Sequence, residues 1–436
     1  MPSNNLKAKK SMSTILLLVI VFCATSCREC PTEPDNDIYL AVEDIFCTSI
    51  TLKVTLPDSD NENQFALERN DSTILTLTCY DDDTLITDED LTPDTDYTYR
   101  VRFLKDGKTK AESDPITVHT MDTTSHYFVW EIDTLGLYGS YLNDVWIVNE
   151  NDVWVVGNIE TDSGTFNAAR WDGKKWEPLK VLSGYTPNYG ILYFSEKDIW
   201  VTSGLPQHWD GKIWTLFHLW NMGILGNNDG GVEHIWASSP TDIYFVGRKG
   251  SIVHYDGSTF TKIESGTDVD LLDIWGLNSQ SIWAVGEDNG YFQSVLLYFN
   301  GTTWEQIYYD NASVKKNNRS LYGHFRTVWV WDDDIYLGGS AGIWHKTINY
   351  SDWDLTRDID IISSGIFERK IRGNQNNDII LVGNNKTVVH YNGVNWKIVM
   401  ERSAYNDLLS IDIKNDIIIA VGNTLGLNGL VLRGHR

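Results

Sequence analysis

The hexapeptide Trp171-Asp172-Gly173-Lys174-Lys175-Trp176 returns along the chain with its pattern intact. Its copies read Trp209-Asp210-Gly211-Lys212-Ile213-Trp214, Tyr255-Asp256-Gly257-Ser258-Thr259-Phe260, Phe299-Asn300-Gly301-Thr302-Thr303-Trp304 and Tyr391-Asn392-Gly393-Val394-Asn395-Trp396. Each is an aromatic, Asp or Asn, Gly, two variable residues and a second aromatic. Asp-Gly and Asn-Gly tolerate the positive φ that a tight hairpin turn demands, and aromatic residues suit a pleated, half-buried strand. The unit is therefore a β-hairpin with a bulky side chain on each arm. Successive copies start 38, 46, 44 and 92 residues apart, and because 92 is twice 46 a degenerate copy occupies the last interval. A fixed period of this size, filled with strands, is the signature of a radial β-repeat.

A second string marks another strand of the same unit. It reads Asp152-Val153-Trp154-Val155-Val156-Gly157, Asp242-Ile243-Tyr244-Phe245-Val246-Gly247 and Ser281-Ile282-Trp283-Ala284-Val285-Gly286, with further copies ending at Gly204, Gly339, Gly383 and Gly422. Each copy follows a strand of its own, such as Asp144-Val145-Trp146-Ile147-Val148. Four strands per unit and seven units predict an all-β, seven-bladed β-propeller over residues 126–436. The fifth unit carries the degenerate hairpin, with Trp344 and Trp353 around an altered turn. The seventh reaches only Leu430-Val431-Leu432-Arg433, so its fourth strand is expected from Phe128-Val129-Trp130-Glu131-Ile132, closing the ring and covering two edges. These strings resemble uncharacterised propeller repeats of bacterial secreted proteins. That resemblance spans roughly two-thirds of the chain and implies a fold, not a substrate.

All 18 tryptophans lie between Trp130 and Trp396, which sets a domain boundary near Asp122-Thr123-Thr124. Residues 38–121 instead hold short alternating runs: Ile50–Leu56, Phe65–Arg69, Ile74–Leu77, Tyr97–Phe103 and Ile116–His119. Period-two alternation predicts strands with one buried face, and Lys105-Asp106-Gly107-Lys108 is expected to turn the chain into the last of them. Leu91-Thr92-Pro93-Asp94-Thr95-Asp96-Tyr97 resembles the tyrosine corner of fibronectin type III domains. The resemblance implies a β-sandwich in which the Tyr97 hydroxyl bonds back to the upstream backbone. The tryptophan usual in the second strand of that family is absent here.

Residues 1–26 read as an export signal: Lys7, Lys9 and Lys10 precede eight apolar residues from Ile15 to Phe22, a run too short to span a bilayer. Ala24-Thr25-Ser26-Cys27 resembles the lipobox of bacterial lipoproteins, which implies lipidation of Cys27. Residues 27–37 then form a proline-containing, charged tether. The expected location is the bacterial cell envelope, with membrane contact through the N-terminal lipid alone. Cys47 and Cys79 are open to pairing there; the sequence does not decide it.

The formal net charge of −25 argues against nucleic acid as a partner. No close metal-ligand pair, phosphate-cradling loop or nucleophile elbow is present, so neither metal nor cofactor is expected. His208, His254 and His390 share one repeat position beside the hairpin aromatic, which marks them as structural. Departures from the repeat are more informative. Phe217-His218-Leu219-Trp220-Asn221-Met222 opens an oversized loop reaching Gly231, and a second long loop runs from Tyr308-Tyr309-Asp310 to Arg319. Loops on a rigid scaffold carry binding, so Trp220, Tyr308 and Tyr309 are the candidate ligand contacts. The expected function is non-catalytic binding of a protein or glycan by a monomer. The alternative is a carbohydrate-active enzyme whose carboxylates converge at the channel mouth.

Overall fold

A computed structural model describes residues 6–9, 38–55, 63–79, 83–105, 107–182, 187–288, 293–311, 314–315, 321–347, 353–355, 368–400, 402–404 and 406–436. The chain divides into two units, Met1–Thr124 and Ser125–Arg436. Cys27 and the tether, like Lys316 and Arg319 of the second long loop, lie outside the described residues.

The first unit is two antiparallel sheets. One orders Leu6–Lys9, Asp83–Asp88, Ile50–Thr55 and Tyr39–Ile45; the other orders Ser72–Cys79, Asn63–Arg69, Asp96–Lys105 and Lys108–Glu112. Ile50, Leu52, Val54, Phe65, Leu67, Ile86, Tyr99 and Val101 make a fully buried core. A polar tie crosses that core: the buried carboxylate of Asp88 accepts the Tyr99 hydroxyl (2.8 Å) and Arg69 Nη1 (2.9 Å). The Tyr97 hydroxyl accepts the N–H of Thr92 at 2.9 Å. One expectation is corrected. The turn at Gly107, with φ +71°, leads into Lys108–Glu112, not into Ile116–His119. Lys108–Glu112 is polar and largely exposed on both faces, so it lacks alternation, while Ile116–His119 pairs with the first half of Asp96–Lys105. Cys47 is a free, buried thiol that donates to the carbonyl of Asp122 at 3.2 Å. Burial, and then the charge of Asp122, push it up to about 11, where it is unreactive.

Among the described residues the second unit holds seven antiparallel sheets, numbered here 1 to 7. Their first strands are Tyr141–Asn149, Gly190–Ser195, Val232–Ser239, Leu271–Asn278, Phe325–Trp331, Glu368–Gln375 and Asp407–Lys414. Each first strand neighbours the next, and the seventh neighbours the first. Sheet 7 takes its fourth strand from Val129–Leu135, paired residue for residue with Gly429–His435. Arg433 holds that strand through Glu131 (2.6 Å) and Asp133 (2.9 Å).

The repeated hexapeptides are the outer hairpins, and their turn chemistry explains Asp or Asn as the second residue. One side-chain oxygen of Asp172 accepts the N–H groups of Lys174 (2.8 Å) and Lys175 (2.9 Å), while Gly173 takes φ +90°. Asp210, Asp256, Asn300 and Asn392 repeat the same pair of bonds. Between sheets, large indoles rest on glycine: a Cβ at Gly276 would lie 2.7 Å from the Trp236 ring, and one at Gly373 would meet Trp329 at the same distance.

Candidate functional site

The three candidate contacts do not converge. Trp220 is half-buried, its indole N–H donating to the carbonyl of Gly226 at 3.1 Å. Its loop is folded onto sheets 2 and 3, with Leu219 and Leu225 buried there. Tyr308 is buried against Phe325, their ring centroids 5.2 Å apart. Tyr309 is partly buried on a different core cluster. The segment expected to begin a long loop is strand through Asn311, and Val314–Lys315 turns back to pair with it. Alternation along that strand sends the two tyrosines to opposite faces.

The shared histidine position has a physical cause. His208, His254 and His390 each bond the Asp that opens the neighbouring strand, Asp198, Asp242 and Asp378, at 2.8, 2.7 and 3.0 Å. His208 and His254 also stack on Trp200 and Tyr244. His345 is a fourth member, bonded to Asp334 at 2.6 Å and stacked on Tyr336; the altered hairpin hid it from the sequence reading. In sheet 1 Arg170 takes this place, bonded to Asp152 and lying over the Trp154 ring, 5.2 Å from its centroid.

Where the first strands face one another, buried charges from alternate sheets meet. Asp273 of sheet 4 accepts Thr327 Oγ1 (2.7 Å) and the N–H of Val328 (3.1 Å) from sheet 5. It also accepts Lys370 Nζ (2.7 Å) and Arg372 Nη2 (2.8 Å) from sheet 6. Arg372 lies over the Trp275 ring at 4.4 Å. Burial alone would raise the Asp273 carboxyl, yet the two cations hold it well below the usual carboxylate range. His234 beside them is pushed down to about 3, by burial first and then by Lys370, and stays neutral.

A pair of acids links sheets 7, 1 and 2. Asp412 accepts the N–H of Ile147 (2.7 Å), and Asp144 accepts the Ser410 hydroxyl (2.7 Å) and the N–H of Ile191 (3.0 Å). Asp412 is raised to about 6 by burial, with the Asp144 charge adding to it. A carboxyl whose folded pKa is raised gives its full stability below its unfolded value and loses it as pH rises through about 6. Asp412→Asn, which mimics the protonated form, is therefore expected to melt with the wild type at pH 4 and above it at pH 7. The gap should be on the order of 5 °C, read by calorimetry across that range. An equal gap at both pH values would rule out this titration.

An open cleft of about 350 Å³ lies between sheets 1 and 2. Trp154, Arg170, Leu179 and Lys180 form one wall; Glu196, Ile199, Trp209 and Trp214 form the other. No sequence motif marks it, because its residues are ordinary members of the repeat.

No protein-family model and no curated protein matches the chain in sequence. Among solved structures it is similar to YCF48 bound to D1 peptide, at 15% identity and a TM-score of 0.51, over 70% of this chain and 95% of that one. The extracellular domain of BT4673 from B. thetaiotaomicron aligns at 10% identity and a TM-score of 0.49, over 70% of this chain and 39% of that one; that likeness is too loose to bear on the fold. The chain is an all-β protein with the fold of the β-propellers.

Proposed function

We propose that this chain is a lipid-anchored protein of the bacterial cell envelope that binds a protein or glycan and performs no chemistry on it. The seven sheets are the blades of one seven-bladed propeller, closed by Val129–Leu135. The first unit is a fibronectin type III-like spacer; its two sheets over one core and the Tyr97 hydroxyl bonded to Thr92 support that reading. Processing at Cys27 would remove Leu6–Lys9 and free the edge of Asp83–Asp88.

One observation carries the binding reading: the central charged groups act as struts between sheets. Asp273, Asp144 and Asp412 each accept hydrogen bonds from neighbouring sheets, which leaves a rigid scaffold with its cleft on the flank. A peptide is also the partner in the YCF48 complex. The second reading, a carbohydrate-active enzyme, draws on Asp412 held up to about 6 beside Asp144, a pairing suited to acid catalysis on a glycosidic bond.

Full-length chain should be screened in parallel on a glycan array and a displayed peptide library, with sugars in the wells analysed for shortening. Retention of a ligand without shortened products is expected. Shortened products would replace this reading with the enzyme.

A further inference from the structure

We propose, building on the binding reading, that the cleft between sheets 1 and 2 receives an aromatic side chain presented by a protein partner. The next groove along, between sheets 2 and 3, shows what fits such a place. There Phe217 of the chain itself lies 5.7 Å from Trp200, with planes 20° apart, and 4.8 Å from Phe260. Trp154 is the repeat counterpart of Trp200, and Trp214 that of Phe260; both line the open cleft. Phe217 follows Trp214 by three residues, and the residue that follows Trp176 by three is Leu179. Each bonds at the same point of its hairpin, Phe217 N–H to the carbonyl of Pro206 and Leu179 opposite Ala168. A smaller side chain therefore stands where a phenyl ring fills the next groove. The space of about 350 Å³ exceeds the roughly 150 Å³ that suffices for benzene.

The polar lining favours an aromatic ring over a sugar. A sugar needs several uncommitted donors and acceptors around its hydroxyls, and here Arg170, Glu196 and Trp209 are engaged with one another or with Asp152. Arg170 gives Nε and Nη2 to Asp152 at 2.7 Å and also bonds Glu196. Trp209 Nε1 donates to the Glu196 carbonyl (3.1 Å), Glu177 pairs with Lys175 (2.7 Å), and Lys180 Nζ lies over the Phe166 ring. Beside the Lys180 and Glu177 side chains the lining is largely indole surface, and among the described residues the buried Trp154 Nε1 has no hydrogen-bond partner. Offset or edge-on aromatic contacts suit that surface.

The test is ligand-observed saturation-transfer NMR on the full chain, with N-acetyl-L-phenylalaninamide and cellobiose as probes. Wild type should transfer saturation to the phenyl protons. Leu179→Phe, which fills the cleft from within, should weaken that binding by at least about tenfold. Ile307→Phe, three residues after Trp304 at a 40% exposed site, should leave it intact. If Leu179→Phe does not fold, Trp214→Ala serves as the loss-of-binding variant. Equal binding by wild type and the filled variant overturns the proposal, as does transfer to cellobiose alone. The displayed peptide library separates the two levels. Undiminished capture by Leu179→Phe removes the cleft and keeps the binding reading; a wild type that captures nothing on peptide library or glycan array removes both.

Discussion

Asp273→Ala is expected to cost the second unit about 3–5 kcal/mol, because it strands two cations that share one buried carboxylate. Lys370 and Arg372 have side chains only 10% exposed, and Asp273 is 1% exposed. Thr327 Oγ1 and the Val328 N–H lose their acceptor as well. A loss of that size is a large share of the roughly 5–15 kcal/mol that holds a typical domain folded. Urea unfolding followed by tryptophan fluorescence reads it directly, since no tryptophan precedes Trp130. The companion variant separates charge from packing. Asp273→Leu with Lys370→Met and Arg372→Met should recover most of the loss, because an apolar replacement of a whole buried cluster is often neutral. An Asp273→Ala chain that unfolds with the wild type would mean that water at the centre already solvates both cations.

The second large effect concerns closure. Replacing residues 129–135 by a Gly/Ser linker of equal length removes a ladder of seven paired residues and frees Arg433 from Glu131 and Asp133. The exposed edge of Gly429–His435 then becomes a template for pairing with another chain. The expected result is a broad, early melt with dimers or larger species on size exclusion. A synthetic peptide of residues 126–136 added in trans should restore a monomer and a sharp melt. A linker variant that stays monomeric and melts sharply would show that closure does not rest on this strand.

Much of the fold was legible because turn chemistry is local. Asp172-Gly173 states its own geometry, since one carboxylate oxygen caps two N–H groups within three residues. The fourth strand of sheet 7 was legible as a spare strand ahead of the first unit. Lys108–Glu112 was not, because an edge strand wet on both faces carries no period. Tyr308 and Tyr309 looked like loop residues because the repeat breaks after them, yet the break begins only past Asn311. The central cluster was hidden for another reason: Asp273 meets Lys370 and Arg372 across 97 and 99 residues, a separation to which no local pattern points. The cleft was hidden most deeply. The contrast that bears on it, Leu179 where the next sheet has Phe217, lies between residues 38 apart and carries no local signal.

The strand that completes sheet 7 also has a timetable. Val129–Leu135 leaves the ribosome almost 300 residues before its partner Gly429–His435 exists. At about 5–20 residues per second that delay lasts some 15–60 s. During it, exposed Val129 and Ile132 belong to a strand with no sheet to join. The polypeptide must be kept apart from its neighbours for that interval, and the arrival of Gly429–His435 decides when the waiting ends.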